Sequence, residues 1–236
     1  MEEDYTKTDA NNWYKLHQLV NIIKHKSRYI VEEPYKTFID SIMNIINVEF
    51  KSILNANSTL YRARINDIDL EKRDNEKKPY PPDKMGPPPL YLTKSGRINP
   101  EGIPFLYCAE DTDTAGSELR PQKGMFLTIA EINIKQDIPI VDLTLECNNK
   151  NWKLFFYDFS ELFSMQWPEN LKLNYLVTQY FSEHLKALGY RGIKYKSDLS
   201  ISGNNYALFY NDDYSILNTY CVETIEVGYV FSKKSV

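Results

Sequence analysis

Apolar positions along this chain first follow a helical period, then lose any period, and then follow a strand period. Between Trp13 and Ile23 they recur at steps of three and four, which predicts a helix. A second helix is predicted from Tyr35 to about Leu54. Phe38, Ile42, Ile45, Ile46 and Phe50 lie on its apolar side, and Pro34 fits its first turn, where a missing N–H is not felt. The pattern then breaks. Charges fill 67–78 and six prolines follow between Pro79 and Pro89, so 66–90 reads as a charged, Pro-rich loop. A loop of that length inside a domain is functional or disordered. Met85-Gly86-Pro87-Pro88 either lies over a pocket or belongs to a solvated insert.

Beyond residue 91 the segments 103–109, 125–134, 138–143, 190–195, 206–210 and 224–231 are short, β-branched or aromatic, and bounded by turn residues. Each is a predicted strand. One strong helix interrupts them, with Leu173, Leu176, Val177, Tyr180, Phe181, Leu185 and Leu188 as its stripe and Gly189 as its stop. A shorter helix is expected near Asp113, capped by Asp111-Thr112 and carrying Ala115 and Glu118. Strands and helices do not alternate regularly, which argues for α+β rather than a doubly wound parallel sheet. The expected organisation is an N-terminal helical extension, 1–57, followed by one domain, 58–236.

Composition excludes more than it identifies. The net charge of −4 argues against nucleic acid as the main partner. Cys108, Cys147 and Cys221 form neither a disulfide framework nor a zinc signature, and His17, His25 and His184 stand at no metal-ligand spacing, so no metal is expected. Residues 1–15 are polar and acidic, without the look of a signal peptide. No apolar run nears the roughly 18 residues of a membrane helix. The expected setting is a reducing cytoplasm. Eighteen tyrosines suit ligand-pocket walls and interfaces, although a Lys/Asn/Tyr-rich genome explains them as well.

Candidate chemistry rests on few residues. Arg62 follows strand-like Leu60-Tyr61, and Arg97 lies in the turn Gly96-Arg97-Ile98-Asn99-Pro100. Arginine presents a fork of donors matched to phosphate oxygens. Arg64 lies two residues from Arg62 and on the same face of a strand, so either could be the phosphate ligand. Tyr107 sits in apolar Leu106-Tyr107-Cys108-Ala109, and Glu118 follows the small residues Ala115, Gly116 and Ser117. Ser197 ends a strand, where it binds a phosphate or sugar or merely closes a turn. Taken singly, each has an ordinary reading as a surface arginine, a core tyrosine, a solvated helix charge or a turn serine. No Gly-x-Ser-x-Gly elbow, dinucleotide fingerprint or phosphate loop is present.

Taken together, these residues resemble the RES domain family, whose pattern runs Gly-Arg-x-Asn-Pro, Leu-Tyr-x-Ala, Thr-Ala-x-x-Glu. Here the segment from Gly96 to Pro121 carries all three, with Arg97 and Tyr107 10 positions apart and Tyr107 and Glu118 11 apart. Arg62 matches the family's early arginine. Gly192-Ile193-Lys194-Tyr195-Lys196-Ser197 resembles the Gly-Ile-x-Tyr-Pro-Ser segment, with Lys196 where proline is common. The resemblance covers roughly 60–209 and leaves the N-terminal helices outside.

It implies a fold like that of ADP-ribosyltransferases, a small β core of mainly antiparallel strands flanked by helices around an NAD cleft. It further implies NAD as a substrate, cleaved at the nicotinamide–ribose bond with phosphate or water as acceptor, often by a toxin of a toxin–antitoxin pair. In that reading Arg62, Arg97, Tyr107, Ser197 and Asn99 contact the dinucleotide. Arg62 and Arg97 take phosphate oxygens, Tyr107 packs on nicotinamide or ribose, and Glu118 attends the ribose. Expected partners are inorganic phosphate, a protein antitoxin or inhibitor, and a second copy of the chain, with no nucleic acid and no membrane. Two rival readings stay open: an ADP-ribosyltransferase that modifies a protein, and a non-enzymatic binding module.

Overall fold

The computed structural model describes residues 2–66, 78–200 and 202–228. Helix α1 spans Glu2–His25 and α2 spans Tyr35–Glu49. The second helix stops short of Leu54 because Lys51–Leu54 pairs as strand β1 with β5 (Ile138–Asp142), a tertiary contact that overrides the local apolar pattern. The remaining elements are β2 (Thr59–Ile65), β3 (Leu106–Ala109), α3 (Thr112–Ser117), β4 (Phe126–Ile134), α4 (Lys153–Ser164), α5 (Tyr175–Ala187), β6 (Gly192–Lys196), β7 (Asn204–Leu208) and β8 (Tyr214–Glu223). The α+β expectation holds. The strands form one eight-stranded sheet in the order β1-β5-β6-β7-β3-β2-β4-β8. The β5–β6 pair is parallel, and the other neighbours run antiparallel.

Two expectations need correction. The last described strand is Tyr214–Glu223, which pairs with β4 along its length; residues 224–228 carry no regular structure, and 229–231 lie outside the described residues. The segment Lys153–Ser164 was not expected as a helix. Its Phe155, Phe156, Phe159 and Phe163 are all buried, and that helix is the hub of the main core.

The main core joins Leu16, Leu19 and Ile23 of α1 and Phe38, Ile42 and Ile46 of α2 to the phenylalanines of α4 and to Phe181 of α5. Trp13 Nε1 donates to Asp158 Oδ2 at 2.6 Å, tying α1 to α4 across the same interface. The segment 1–57 therefore shares one core with the residues that follow it. A second cluster, with Leu60, Cys108, Ile132 and Tyr206, covers the other face of the sheet. Among the described residues, no helix is long and apolar enough to cross a membrane.

The Pro-rich loop is anchored at a few points, while most of its described residues are exposed. Met85 is fully buried, the Tyr80 N–H donates to Thr128 Oγ1 at 2.9 Å, and the Arg64 guanidinium lies 4.5 Å from the Tyr80 ring centre. The charged run at 67–77 lies outside the described residues.

One irregularity positions the site. Among the described residues β2 and β3 are adjacent but pair at a single position, Tyr61 with Ala109. Strand β2 otherwise follows β4 over seven positions, and β3 follows β7 over four. The two halves of the sheet diverge from this seam.

Candidate active site

The site is built on the turn that follows Ser95. Its backbone is held from behind by α5, which turns three polar side chains inward. Thr178 Oγ1 donates to the Arg97 carbonyl, Gln179 Nε2 to the Gly96 carbonyl at 2.6 Å, and Ser182 Oγ to the Ile98 carbonyl at 2.8 Å. All three are buried, so α5 serves three consecutive carbonyls that would otherwise lack partners. The predicted stripe on α5 missed this. Leu173 precedes the helix, Leu188 follows it, and both are exposed; Tyr175, Val177, Phe181 and Leu185 are buried together with the polar three.

Tyr107 holds the turn from the front. Its hydroxyl accepts from the N–H groups of Ile98 (3.0 Å) and Asn99 (3.2 Å) and donates to Asn99 Oδ1 at 2.8 Å. Asn99 is buried, and its Nδ2 donates to the carbonyls of Lys94, Pro100 and Ile103. Its amide is thus spent inside the turn, behind the cleft, and it can reach a ligand only through Tyr107. Gly96 is required here. A Cβ at that position would lie 2.2 Å from Asn99 Oδ1 and 3.0 Å from the Tyr107 hydroxyl.

This scaffold presents Arg97 to Glu118. Arg97 donates through Nη1 to the Phe163 carbonyl at 3.2 Å and through Nη2 to Glu118 Oε2 at 3.4 Å, with its guanidinium 5.5 Å from the Tyr195 ring centre. Glu118 closes the short helix α3, which Asp111 caps by accepting from the Thr114 N–H at 2.7 Å. Three further donors reach the carboxylate. Ser197 Oγ and Asn205 Nδ2 donate to Oε1 at 2.8 and 2.6 Å, and Gln166 Nε2 donates to Oε2 at 2.8 Å. Ser197 also accepts from the N–H groups of Leu199 and Ser200, closing the turn after β6.

A cleft of about 340 Å³ opens over these groups and is bordered by Arg62, Arg97, Tyr107, Glu118, Tyr195 and Asn205. Arg62 reaches it at the seam. Strand alternation places its side chain on the face of Leu60 and Cys108, opposite Tyr61 and Tyr107. Across the seam, however, its Nη1 donates to the Tyr107 carbonyl at 3.2 Å, and its buried Nε has no hydrogen-bond partner. Arg64 is turned instead to the Pro-rich loop, donating to the Lys84 carbonyl at 3.2 Å. Of the two arginines the sequence left open, Arg62 is the one that borders the cleft.

Gln166 and Asn205 were not singled out from the sequence. Consecutive Asn204-Asn205 inside a strand run against β-propensity and were a usable signal. Gln166 lies in the irregular stretch after α4, where spacing carries none.

Burial raises the hydroxyls of Tyr107 and Tyr214 from 10.0 to about 12, and the Cys108 thiol from 9.0 to about 12. The unfolded chain loses these protons first, so their contribution is complete below about pH 8, begins to fall with the Cys108 thiol near pH 9, and is lost as pH rises toward 12. Urea unfolding followed by circular dichroism should give a stability that falls above about pH 10. A flat profile to pH 11.5 would contradict this placement of the three groups.

A family model described as the RES domain matches residues 60–224. The crystal structure of the M. tuberculosis MbcT–MbcA toxin–antitoxin complex aligns with a TM-score of 0.43 at 11% identity, covering 78% of this chain and 93% of that one. No curated protein gives a significant match to the sequence.

Proposed function

This chain belongs to the RES domain family, and from that premise we propose that it degrades NAD at the nicotinamide–ribose bond, with phosphate or water as acceptor. The observation that carries the reading is Glu118, a carboxylate held by Arg97, Ser197 and Asn205 at the wall of a cleft that also holds two guanidiniums.

In the proposed reaction the bond from ribose C1′ to the pyridinium nitrogen breaks. Its electron pair returns to the ring, and nicotinamide leaves neutral, so no strong general acid is needed. Positive charge develops at C1′ and O4′, as in glycoside cleavage. Glu118 stabilises that charge and accepts hydrogen bonds from the ribose hydroxyls. Arg97 and Arg62 take the diphosphate oxygens, or one of them binds an incoming phosphate; the unpartnered Nε of Arg62 supports this role. The Tyr107 ring packs against nicotinamide or ribose, while its hydroxyl keeps the Arg97 turn in place. Ser197 and Asn205 hold the Glu118 carboxylate. An oxygen of phosphate, or of water that gives up a proton to solvent, then attacks C1′ from the opposite face. We propose further that the chain acts as a toxin restrained by a protein antitoxin, in keeping with the family it belongs to.

Purified protein incubated with NAD, with and without inorganic phosphate, and followed by mass spectrometry tests the reading, with Glu118→Gln as control. Nicotinamide and a phosphorylated ADP-ribose formed only with phosphate identify a phosphorylase, and free ADP-ribose in both arms identifies a hydrolase. Label from radiolabelled NAD on a protein band in lysate would identify protein modification instead. Intact NAD in every arm, with folded protein, would overturn the proposal.

A further inference from the structure

An ionised carboxylate offers about four lone-pair positions, two on each oxygen. Glu118 uses all four. Ser197 and Asn205 occupy Oε1, and Arg97 and Gln166 occupy Oε2. A ribose hydroxyl can therefore donate to this carboxylate only by taking the place of a donor already there.

The four donors are not equally fixed. Asn205 is buried in β7, between β3 and β6. Ser197 is held in its turn by two backbone N–H groups. Arg97 is tethered to the Phe163 carbonyl, and its own carbonyl is held by Thr178. Gln166, half-buried between α4 and the 3-10 turn at Glu169–Asn174, has no second hydrogen bond holding its side chain among the described residues. The chain there is pinned one residue later, where the Trp167 N–H donates to the Tyr175 hydroxyl at 2.7 Å. The backbone beside Gln166 is thus anchored while its side chain makes one hydrogen bond, to Oε2.

We propose that Gln166 is a placeholder for the substrate: its amide occupies Glu118 Oε2 in the empty site and is displaced by a ribose hydroxyl when NAD binds. The inference rests on reading Glu118 as the ribose-facing carboxylate. An amide N–H and a hydroxyl O–H are equivalent donors to a carboxylate oxygen, so the exchange keeps Oε2 satisfied throughout. The exchange taxes binding, because the competent form is the fraction of molecules in which Gln166 has let go. A residue that only positioned Glu118 would act on the chemical step instead, since its hydrogen bond would persist in the transition state.

Two measurements on wild type, Gln166→Ala and Gln166→Met separate these roles: NAD cleavage kinetics, and calorimetric binding of ADP-ribose, which carries the same diol. Met keeps the length and apolar stem of the side chain and removes the donor, so it serves should the Ala variant lose its fold. The placeholder predicts a KM for NAD and a Kd for ADP-ribose about three-fold or more below wild type, with kcat within two-fold. Unchanged or raised KM and Kd would overturn it, as would a ten-fold fall in kcat at constant KM, which is the mark of positioning. Wild-type protein that neither cleaves NAD nor binds ADP-ribose would overturn the NAD reading itself, and the placeholder with it. Unaltered binding in the variants of an active enzyme would remove the placeholder alone.

Discussion

If the proposed reaction holds, Glu118→Gln is expected to lower NAD cleavage by on the order of 10²-fold or more, with the circular dichroism spectrum unchanged. The carboxylate is one-fifth exposed, and its partner Arg97 is one-tenth exposed. In so sheltered a setting a charge acts on a developing cation far more strongly than it would in water. Glutamine keeps the size and one acceptor oxygen but replaces the other oxygen with an NH2 group. That group then meets the donors of either Ser197 and Asn205 or Arg97 and Gln166, depending on how the amide is turned. The variant thus loses both the negative charge and the fixed orientation, and the loss falls on kcat rather than on KM. Nicotinamide release at saturating NAD measures it. Full turnover by a folded Glu118→Gln protein would remove Glu118 from the chemistry.

Tyr107→Phe is expected to lower stability by about 2–4 kcal/mol, from the loss of a satisfied acceptor for buried donors. The ring survives, so packing is kept. The N–H groups of Ile98 and Asn99 lose their acceptor, and Asn99 Oδ1 loses its donor. Ile98 is fully buried and Asn99 is 4% exposed, so water does not readily replace the hydroxyl. Because Arg97 lies between Gly96 and Ile98, the loosened turn also weakens the cleft, and kcat/KM falls along with stability. Urea denaturation gives the first quantity and initial-rate kinetics the second. A stability change under about 0.5 kcal/mol, the range of an ordinary surface substitution, would mean that the turn holds without Tyr107.

The contrast between Tyr107 and Asn99 shows what the sequence could reveal. The spacing of Gly96, Arg97, Asn99 and Tyr107 pointed to one site, and they do meet at one turn. Their division of labour was not legible. Whether a polar side chain serves a ligand or its own backbone depends on which buried carbonyls and N–H groups the fold leaves nearby, and that is settled by tertiary packing. The same reason hid Thr178, Gln179 and Ser182. Periodicity finds the apolar side of a helix, yet α5 needs polar groups on its buried side because a turn, and not a sheet, packs there. Five of the strands were legible from β-branched and aromatic runs. β1 was not, since four residues following a helix carry no period of their own. β8 was displaced because Asn218 and Thr219 dilute its apolar signal, while the run from 224 onward reads as a strand although 224–228 carry no regular structure.

The N-terminal helices have a consequence for how the chain matures. Their apolar faces pack on α4 and α5, and Trp13 finds Asp158 only 145 residues later. During synthesis at about 5–20 residues per second, the first helix waits on the order of ten seconds or more for its partner to emerge. The cleft has a similar delay, since Asn205 completes the setting of Glu118 only once β7, 87 residues further along, has been made. Contacts so distant in sequence also slow folding after release, because long loops must close before any of them forms. A nascent chain of this design carries no assembled cleft until β7 has emerged, and whatever chemistry the cleft performs waits for that strand.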